Sequence, residues 1–116
     1  MSNRILIVED DVSLRQLFSN VLSHQGFDVV QAATCNETRV YMEAHDFDIL
    51  ICDVELEDCN ALPVIEDCVR GNFPVVVISA NEAYSAPCRD IGVNAFVTKP
   101  ITVNDFISLI HQNTQQ

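Results

Sequence analysis

Acids, a hydroxyl and a cation recur at one relative position along this sequence, just past short apolar runs. Glu9-Asp10-Asp11 follow Ile5-Leu6-Ile7-Val8, and Asp53 follows Ile49-Leu50-Ile51-Cys52. Ser79-Ala80 follow Val75-Val76-Val77-Ile78, and Thr98-Lys99-Pro100 follow Ala95-Phe96-Val97. Each residue alone has an ordinary explanation. An acid after a strand is often a helix N-cap, which suits Asp11, and a lone Ser or Lys in a loop means little. The conjunction is harder to dismiss, because Lys99 is the sole lysine of the chain. Two carboxylates about 5 Å apart repel by roughly 3 kcal/mol at an effective dielectric of ~20, so a cluster of them needs a cation or a proton. Oxygen donors at tight spacing suit Mg²⁺, which takes one or two carboxylates plus phosphate oxygens. A metal, a lysine and a hydroxyl can hold the oxygens of a transferring phosphoryl group while a carboxylate attacks it. That combination describes a phosphoryl-transfer site with Asp53 as the candidate nucleophile.

Such residues converge only if the intervening chain folds to bring strand ends together. The apolar runs are strand-length and apolar at every position, as expected for strands covered on both faces. Between them the apolar period becomes helical. Leu14, Leu17, Phe18, Val21 and Leu22 share one helix face, with Gly26 as a stop. Asp28–Ala32 reads as a weaker second strand that ends blandly in Gln31-Ala32-Ala33. Thr34 and Glu37 have capping-box spacing and open a second helix. Leu62, Ile65 and Val69 predict a third, ending near Gly71. A short fourth helix is expected around Tyr84 to Ile91, beginning late or kinked at Pro87. A fifth runs from about Val103 to His111 with Val103, Phe106, Ile107 and Ile110 inward and an N-terminal signal in Thr102 and Asp105. Five strands alternating with five helices predict one doubly wound α/β domain around a parallel sheet, and sites in such sheets lie beyond the carboxyl ends of the strands.

Composition sets outer bounds. The length, 116 residues, and 48% hydrophobic content suit one folded domain. The balance of 6 Lys and Arg against 17 Asp and Glu gives a net charge of −11, which repels nucleic acid backbones and acidic membranes. Neither a signal peptide nor a bilayer-length apolar run is recognisable, so a cytoplasmic protein is expected. Cys35, Cys52, Cys59, Cys68 and Cys88 form no C-x-x-C, and His24, His45 and His111 lack zinc-ligand spacing. Buried, reduced thiols are the expectation for all five. The polar end, His111 to Gln116, reads as a frayed terminus or the start of a linker.

Taken in order, Ile5 to Asp11, Phe47 to Asp53, Val77 to Ala80 and Gly92 to Pro100 resemble the response-regulator receiver domain, and the resemblance spans essentially residues 1–116. The family's fold implies strand order 2-1-3-4-5, an order that the general rule for doubly wound sheets itself illustrates with a member of this family. The resemblance implies that Asp53 is the phosphoacceptor. It implies that Glu9, Asp10, Asp53 and the Glu55 backbone carbonyl hold Mg²⁺, with the acidic pair placed by its distance to Arg15. Ser79 and Lys99 then bind the phosphoryl group and Phe96 is the aromatic switch, while a cis bond is implied at Lys99-Pro100. Two positions depart from the family pattern: Glu57 stands where Pro is usual and Ala61 where Gly is usual.

The function so implied is that of a phosphorelay signalling domain and not of a turnover enzyme. A sensor histidine kinase or histidine phosphotransfer protein is the expected donor. A downstream effector or fused output domain reads the surface of helix four, strand five and helix five, and phosphorylation-dependent dimerisation is open. Glu55 and Asn81, each two residues past a site residue, are expected to tune phosphorylation and hydrolysis rates. One alternative is a pseudo-receiver acting as an interaction module, against which the complete acid, Ser and Lys set argues. Another is a small Mg²⁺-dependent phosphatase. Enzymes of the haloacid dehalogenase type carry D-x-D after the first strand, whereas the candidate nucleophile here follows the third.

Overall fold

The computed structural model describes residues 3–114. Its strands are β1 (Arg4–Val8), β2 (Asp28–Ala32), β3 (Ile49–Cys52), β4 (Val75–Ser79) and β5 (Ala95–Thr98). They alternate with α1 (Val12–His24), α2 (Cys35–Ala44), α3 (Leu62–Arg70), α4 (Ser85–Ile91) and α5 (Val103–Thr114). All strand pairs are parallel, in the order β2-β1-β3-β4-β5 expected from the resemblance.

The two-residue period of a strand divides the apolar runs between two cores. Ile5, Ile7, Ile49, Ile51, Val76 and Ile78 face α1 and α5, where they meet Phe18, Leu22, Phe106 and Ile110. Leu6, Val8, Leu50, Cys52, Val75 and Val77 face the other way, towards Val64, Ile65 and Cys68 of α3 and Cys88 of α4. Both sets are buried, so the central strands have no polar face to show in their sequence. Phe18 and Phe106 stack with ring centroids 4.2 Å apart and join α1 to α5.

Local chemistry sets the element ends. Asp11 accepts a hydrogen bond from the Leu14 N–H and caps α1. The Thr34 hydroxyl accepts from the Glu37 N–H, while the Glu37 carboxylate reaches back to the Ala33 N–H at 2.8 Å. Gly26 takes φ +95 as α1 ends, and the Phe27 N–H returns to the Leu22 carbonyl at 3.1 Å. α3 ends at Gly71 as expected, and the left-handed residue that follows it is Asn72, φ 62. Asparagine tolerates this region because its short polar side chain bonds locally.

Several expectations change. Leu17 and Val103 are 47% and 43% exposed, so neither points into the core. Pro87 neither delays nor kinks α4. A 3-10 turn at Glu82–Tyr84 leads into the helix, and Pro87 sits in the first α-helical turn, where its missing N–H has no intrahelical partner to lose. Residues 111–114 are helical, and the rest of the expected terminus, 115–116, lies outside the described residues. Cys35 and Cys59 are joined by a disulfide, which corrects the reading of five reduced thiols, while Cys52, Cys68 and Cys88 are free and buried. The Lys99-Pro100 bond is cis.

Two expected outcomes follow from this packing. Phe106 is fully buried, so Phe106→Ala should cost about 3–5 kcal/mol of unfolding free energy in urea titrations. Burial pushes the Cys68 thiol from 9.0 up to about 11, and the neighbouring Asp67 charge adds to it. The protonated thiol is therefore favoured in the folded state. Its contribution is complete below pH 9 and is lost as pH rises towards 11. Urea midpoints taken between these pH values should fall less steeply for Cys68→Ala than for the unmodified chain.

Candidate functional site

The parallel register does most of the positioning. Val8 of β1 pairs with Cys52 of β3, so Glu9 and Asp53 leave the sheet side by side. The Asp53 N–H donates to the Val8 carbonyl at 3.1 Å and the Glu9 N–H to the Ala32 carbonyl at 3.0 Å, which fixes both backbones one residue beyond the strands. On the other side Ser79 pairs with Thr98, and the Lys99 N–H donates to the Ser79 carbonyl at 2.8 Å. Ser79 is thus the last residue of β4, where the sequence reading had it just past the strand. Strand order reverses between β1 and β3, and the crevice opens where helices on opposite faces diverge.

Lys99 spans that crevice. Its Nζ donates to Glu9 Oε1 at 2.6 Å and to Asp53 Oδ2 at 2.8 Å. Both carboxylates are buried, Glu9 4% and Asp53 9% exposed, so these charges rely on partners more than on water. Burial raises the Glu9 carboxyl above its usual range, and the Lys99 hydrogen bond and the Asp11 N–H only partly oppose that. Burial alone would lower Lys99, but its hydrogen bonds to Asp53 and Glu9 prevail and hold the ammonium above its ordinary value.

Carboxylate oxygens of Glu9, Asp10 and Asp53 lie within 4.8 Å of one another. Three carboxylates against one lysine leave the cluster with excess negative charge. These hard oxygen donors fit Mg²⁺, which keeps some of its own waters and needs no complete protein cage. Asp10 is only partly buried, on the open side of the trio. Asp53 Oδ1 also receives the Glu55 N–H at 3.4 Å, so the chain turns immediately after the acid and brings Glu55 to the same mouth.

The remaining expected residues sit around this centre. Ser79 is fully buried, and its hydroxyl accepts the Asn81 N–H at 3.1 Å. The Asn81 side chain is partly committed, because its oxygen accepts the Ala83 N–H and caps the 3-10 turn. Phe96 pairs in register with Val77 and packs half-buried against the core shared by α3 and α4. Arg15 donates from Nη1 to the Glu9 carbonyl at 2.8 Å and from Nε to Gln31 Oε1 at 3.1 Å, tying α1 to the ends of β1 and β2. Sequence reasoning missed Tyr84. Its hydroxyl donates to Glu55 Oε2 at 3.3 Å and accepts from Asn60 Nδ2 at 3.1 Å, joining the loop after β3 to the loop after β4. No spacing signal marks a tyrosine for such a contact.

The two departures in the loop after β3 are absorbed locally. Ala61 has φ −82 and ψ 0, so the backbone does not need glycine there. Glu55 and Asn60 form an antiparallel bridge, and Glu57 lies exposed in the turn between them. Pro63 then occupies the first turn of α3.

The model of the response regulator receiver domain matches residues 5–111. The regulatory protein VirG of Agrobacterium tumefaciens is 23% identical over 110 residues, 91% of this chain and 41% of that protein. The DNA-binding transcriptional regulator NtrC of Rhizobium meliloti is 29% identical over 111 residues, 91% of this chain and 23% of that protein. The chain therefore spans less than half the length of these curated relatives. Among solved structures, a CheY-like receiver domain protein from Methanospirillum hungatei superposes with a TM-score of 0.91 at 24% identity, covering 98% of this chain and 94% of that one. The Thermotoga maritima response regulator TrrA, solved with Mg²⁺ and BeF, gives 0.86 at 19% identity, covering 95% and 97%.

Lys99→Met removes the only cation from between two buried carboxylates. Breaking a buried pair from one side costs about 3–5 kcal/mol, so this variant should lose that much in urea denaturation without Mg²⁺. Millimolar Mg²⁺ should restore part of the loss, since a divalent ion can replace the missing positive charge.

Proposed function

The chain belongs to the response regulator receiver domain family, and on that premise we propose that Asp53 accepts a phosphoryl group from a phosphohistidine partner. The observation that carries this reading is the Asp53 carboxylate at the end of β3, with Lys99 Nζ 2.8 Å from one of its oxygens. The attacking Asp53 oxygen forms the new P–O bond as the P–N bond of the phosphohistidine breaks, and the bonding pair stays with the departing imidazole. The product is an acyl phosphate on Asp53, with no net oxidation or reduction.

Glu9, Asp10, Asp53 and the Glu55 carbonyl would hold Mg²⁺, which when bound offsets negative charge on the transferring oxygens. The protein's own groups supply orientation. Lys99, already paired to Asp53, is placed to follow the new charge onto a phosphoryl oxygen. The buried Ser79 hydroxyl would exchange its Asn81 N–H bond for one to the phosphoryl group. Because Ser79 and Phe96 sit on paired strands, movement at the β4 end changes the room around the Phe96 ring. The surface of α4, β5 and α5 is then the one a partner reads, through a shift between two populations that only the phosphoryl contacts bias. Glu55 and Asn81 border the mouth and tune the rates of transfer and hydrolysis.

The donor in this reading is a sensor histidine kinase or a histidine phosphotransfer protein. The receiver is an effector or an output domain joined to this one, with no direct nucleic acid contact at a net charge of −11. Among the described residues no helix is long and apolar enough to cross a membrane. Phosphoryl donors of this kind draw on cytoplasmic nucleotide, and we place the domain in that compartment. A phosphorylation-dependent dimer is compatible with the exposed α4, β5 and α5 face. A turnover phosphatase of the D-x-D kind is disfavoured because the acid follows the third strand and Asp53-Val54-Glu55 is not D-x-D.

With Mg²⁺ and a small phosphodonor such as acetyl phosphate, labelling should fall by at least about 10³-fold in Asp53→Asn, the scale on which loss of a nucleophile acts. Chelating the metal should suppress labelling of the unmodified protein. Mg²⁺ at ten times its dissociation constant should add about 1.4 kcal/mol of stability by mass action. Undiminished label on Asp53→Asn sinks the assignment.

A further inference from the structure

The loop after β3 is held from outside the site as well as from within it. Cys59, in the returning arm of that loop, is joined to Cys35 at the start of α2, with Cα atoms 6.2 Å apart. The loop itself is a small hairpin. Glu55 pairs with Asn60, the Leu56 N–H donates to the Cys59 carbonyl at 3.0 Å, and the Ala61 N–H donates to the Val54 carbonyl at 2.7 Å. Whatever fixes Cys59 therefore fixes the arm that carries the Glu55 backbone. A second contact keeps the partners together independently of the sulfur bond. The Asp58 carboxylate accepts from the Cys35 N–H at 2.9 Å and from the Asn36 N–H at 3.3 Å. Opening the bond leaves the Asp58 contacts to tether the hairpin to α2, so Cys59 stays within reach of Cys35 and closure is intramolecular, but the arm regains motion that the sulfur bond removes.

We propose that Cys35 and Cys59 form a reversible thiol–disulfide site that exchanges with a low-molecular-weight disulfide of the glutathione class, and that its oxidised state pre-orders the Glu55 carbonyl and raises the Mg²⁺ affinity of the Asp53 site. The link to Mg²⁺ rests on the proposed reading of that site. Cys59 is the partly exposed member and Cys35 the buried one, so exchange begins at Cys59. The Cys59 thiolate attacks one sulfur of the small disulfide and expels one thiol. The Cys35 thiolate then attacks the Cys59 sulfur of the mixed disulfide and expels the second. Two protein thiols are oxidised and one small disulfide is reduced to two thiols, which carry away both electrons and both protons. Cys52, Cys68 and Cys88 are buried and do not compete.

The direction of the coupling follows from entropy. A hairpin free to move must be ordered before its carbonyl can act as a ligand, and a disulfide removes that cost in advance. Linkage makes the effect reciprocal, so Mg²⁺ must favour the disulfide by the same factor.

The test uses the whole chain and Cys59→Ser. Thiol trapping with mass readout follows the disulfide across glutathione redox buffers, with and without saturating Mg²⁺ and with no phosphodonor. Calorimetry measures Mg²⁺ affinity of the oxidised and reduced forms. One two-electron transition confined to Cys35 and Cys59 is expected. Mg²⁺ affinity should be about fivefold higher when oxidised, at the low end of ordinary coupling between sites. The same factor should move the midpoint about 20 mV towards reducing potentials in Mg²⁺. Cys59→Ser should bind Mg²⁺ like the reduced protein at every glutathione ratio. Equal affinities in the two forms, no disulfide at any glutathione ratio, or a Cys59→Ser affinity that still follows glutathione would each overturn the proposal. Stoichiometric zinc retained by the reduced chain and lost in Cys59→Ser would overturn it in favour of a metal site at Cys35, Asp58 and Cys59. Because the titration is read without phosphodonor, failure of the Asp53 reading shows up separately, as absence of label in both redox states.

Discussion

One ammonium group between two buried carboxylates holds the site end of this fold together. Lys99 Nζ, at 2.6 Å from Glu9 and 2.8 Å from Asp53, compensates charges that two neighbouring strands deliver to the same place. Charges this deep are costly unless paired, so the carboxylates that follow β1 and β3 rely on the cation that follows β5. The arrangement is stable yet leaves negative charge uncompensated, since Asp10 adds a third carboxylate with no second lysine in the chain. A site that is paired but underneutralised is one that a divalent cation can enter and reorganise. Stability and readiness for chemistry here come from the same imbalance.

The sheet makes that pairing unavoidable. Parallel register aligns Val8 with Cys52 and Ser79 with Thr98, so the residues that follow emerge at one edge without help from loop geometry. The strands themselves are held by two cores of alternate residues. A one-residue slip of β3 would exchange Leu50 and Ile51 between cores and swing Asp53 away from Lys99. Packing of side chains far from the site, such as Phe18 on Phe106, therefore serves the chemistry by fixing strand position. This differs from sites assembled on loops, where precision has to be supplied by extra contacts.

Those two physical scales explain which features were legible in the sequence. The caps at Asp11 and Thr34 depend on local residue type, and the meeting of Glu9, Asp53 and Lys99 at one edge follows from one topological rule, while β4 and β5 each run one residue past the apolar run, through Ser79 and Thr98. Leu17 and Val103 defeat a helical period, because periodicity marks a face but not how wide a stripe the sheet can cover. Gly71 marks the stop of α3, whereas the left-handed turn at Asn72 depends on which carbonyl the returning chain reaches. Pro87 suggests a late start or a kink because its position within the first turn is invisible until the 3-10 lead-in is seen. The Cys35–Cys59 bond and the Tyr84 bridge join segments far apart in sequence, and no local pattern encodes such meetings.

The irregular features gather in one place, the segment between Asp53 and α3. Glu57 and Ala61 depart there from the family pattern, Cys59 is tethered to α2, Asp58 holds the α2 backbone, and Glu55 and Asn60 meet Tyr84. The sheet determines where Asp53 stands but not where the chain goes immediately afterwards. Proline and glycine shape a loop through restricted or permissive backbone dihedrals. Here an exposed acid and an alanine with ordinary dihedrals stand at those positions, and the shape comes from a hairpin bridge and from contacts to two other elements. Restraint here comes from tertiary contact, and tertiary contacts can be broken and remade. Asp53 itself is thus fixed by the sheet, while the Glu55 backbone and carboxylate beside it are held by groups that other parts of the molecule can influence.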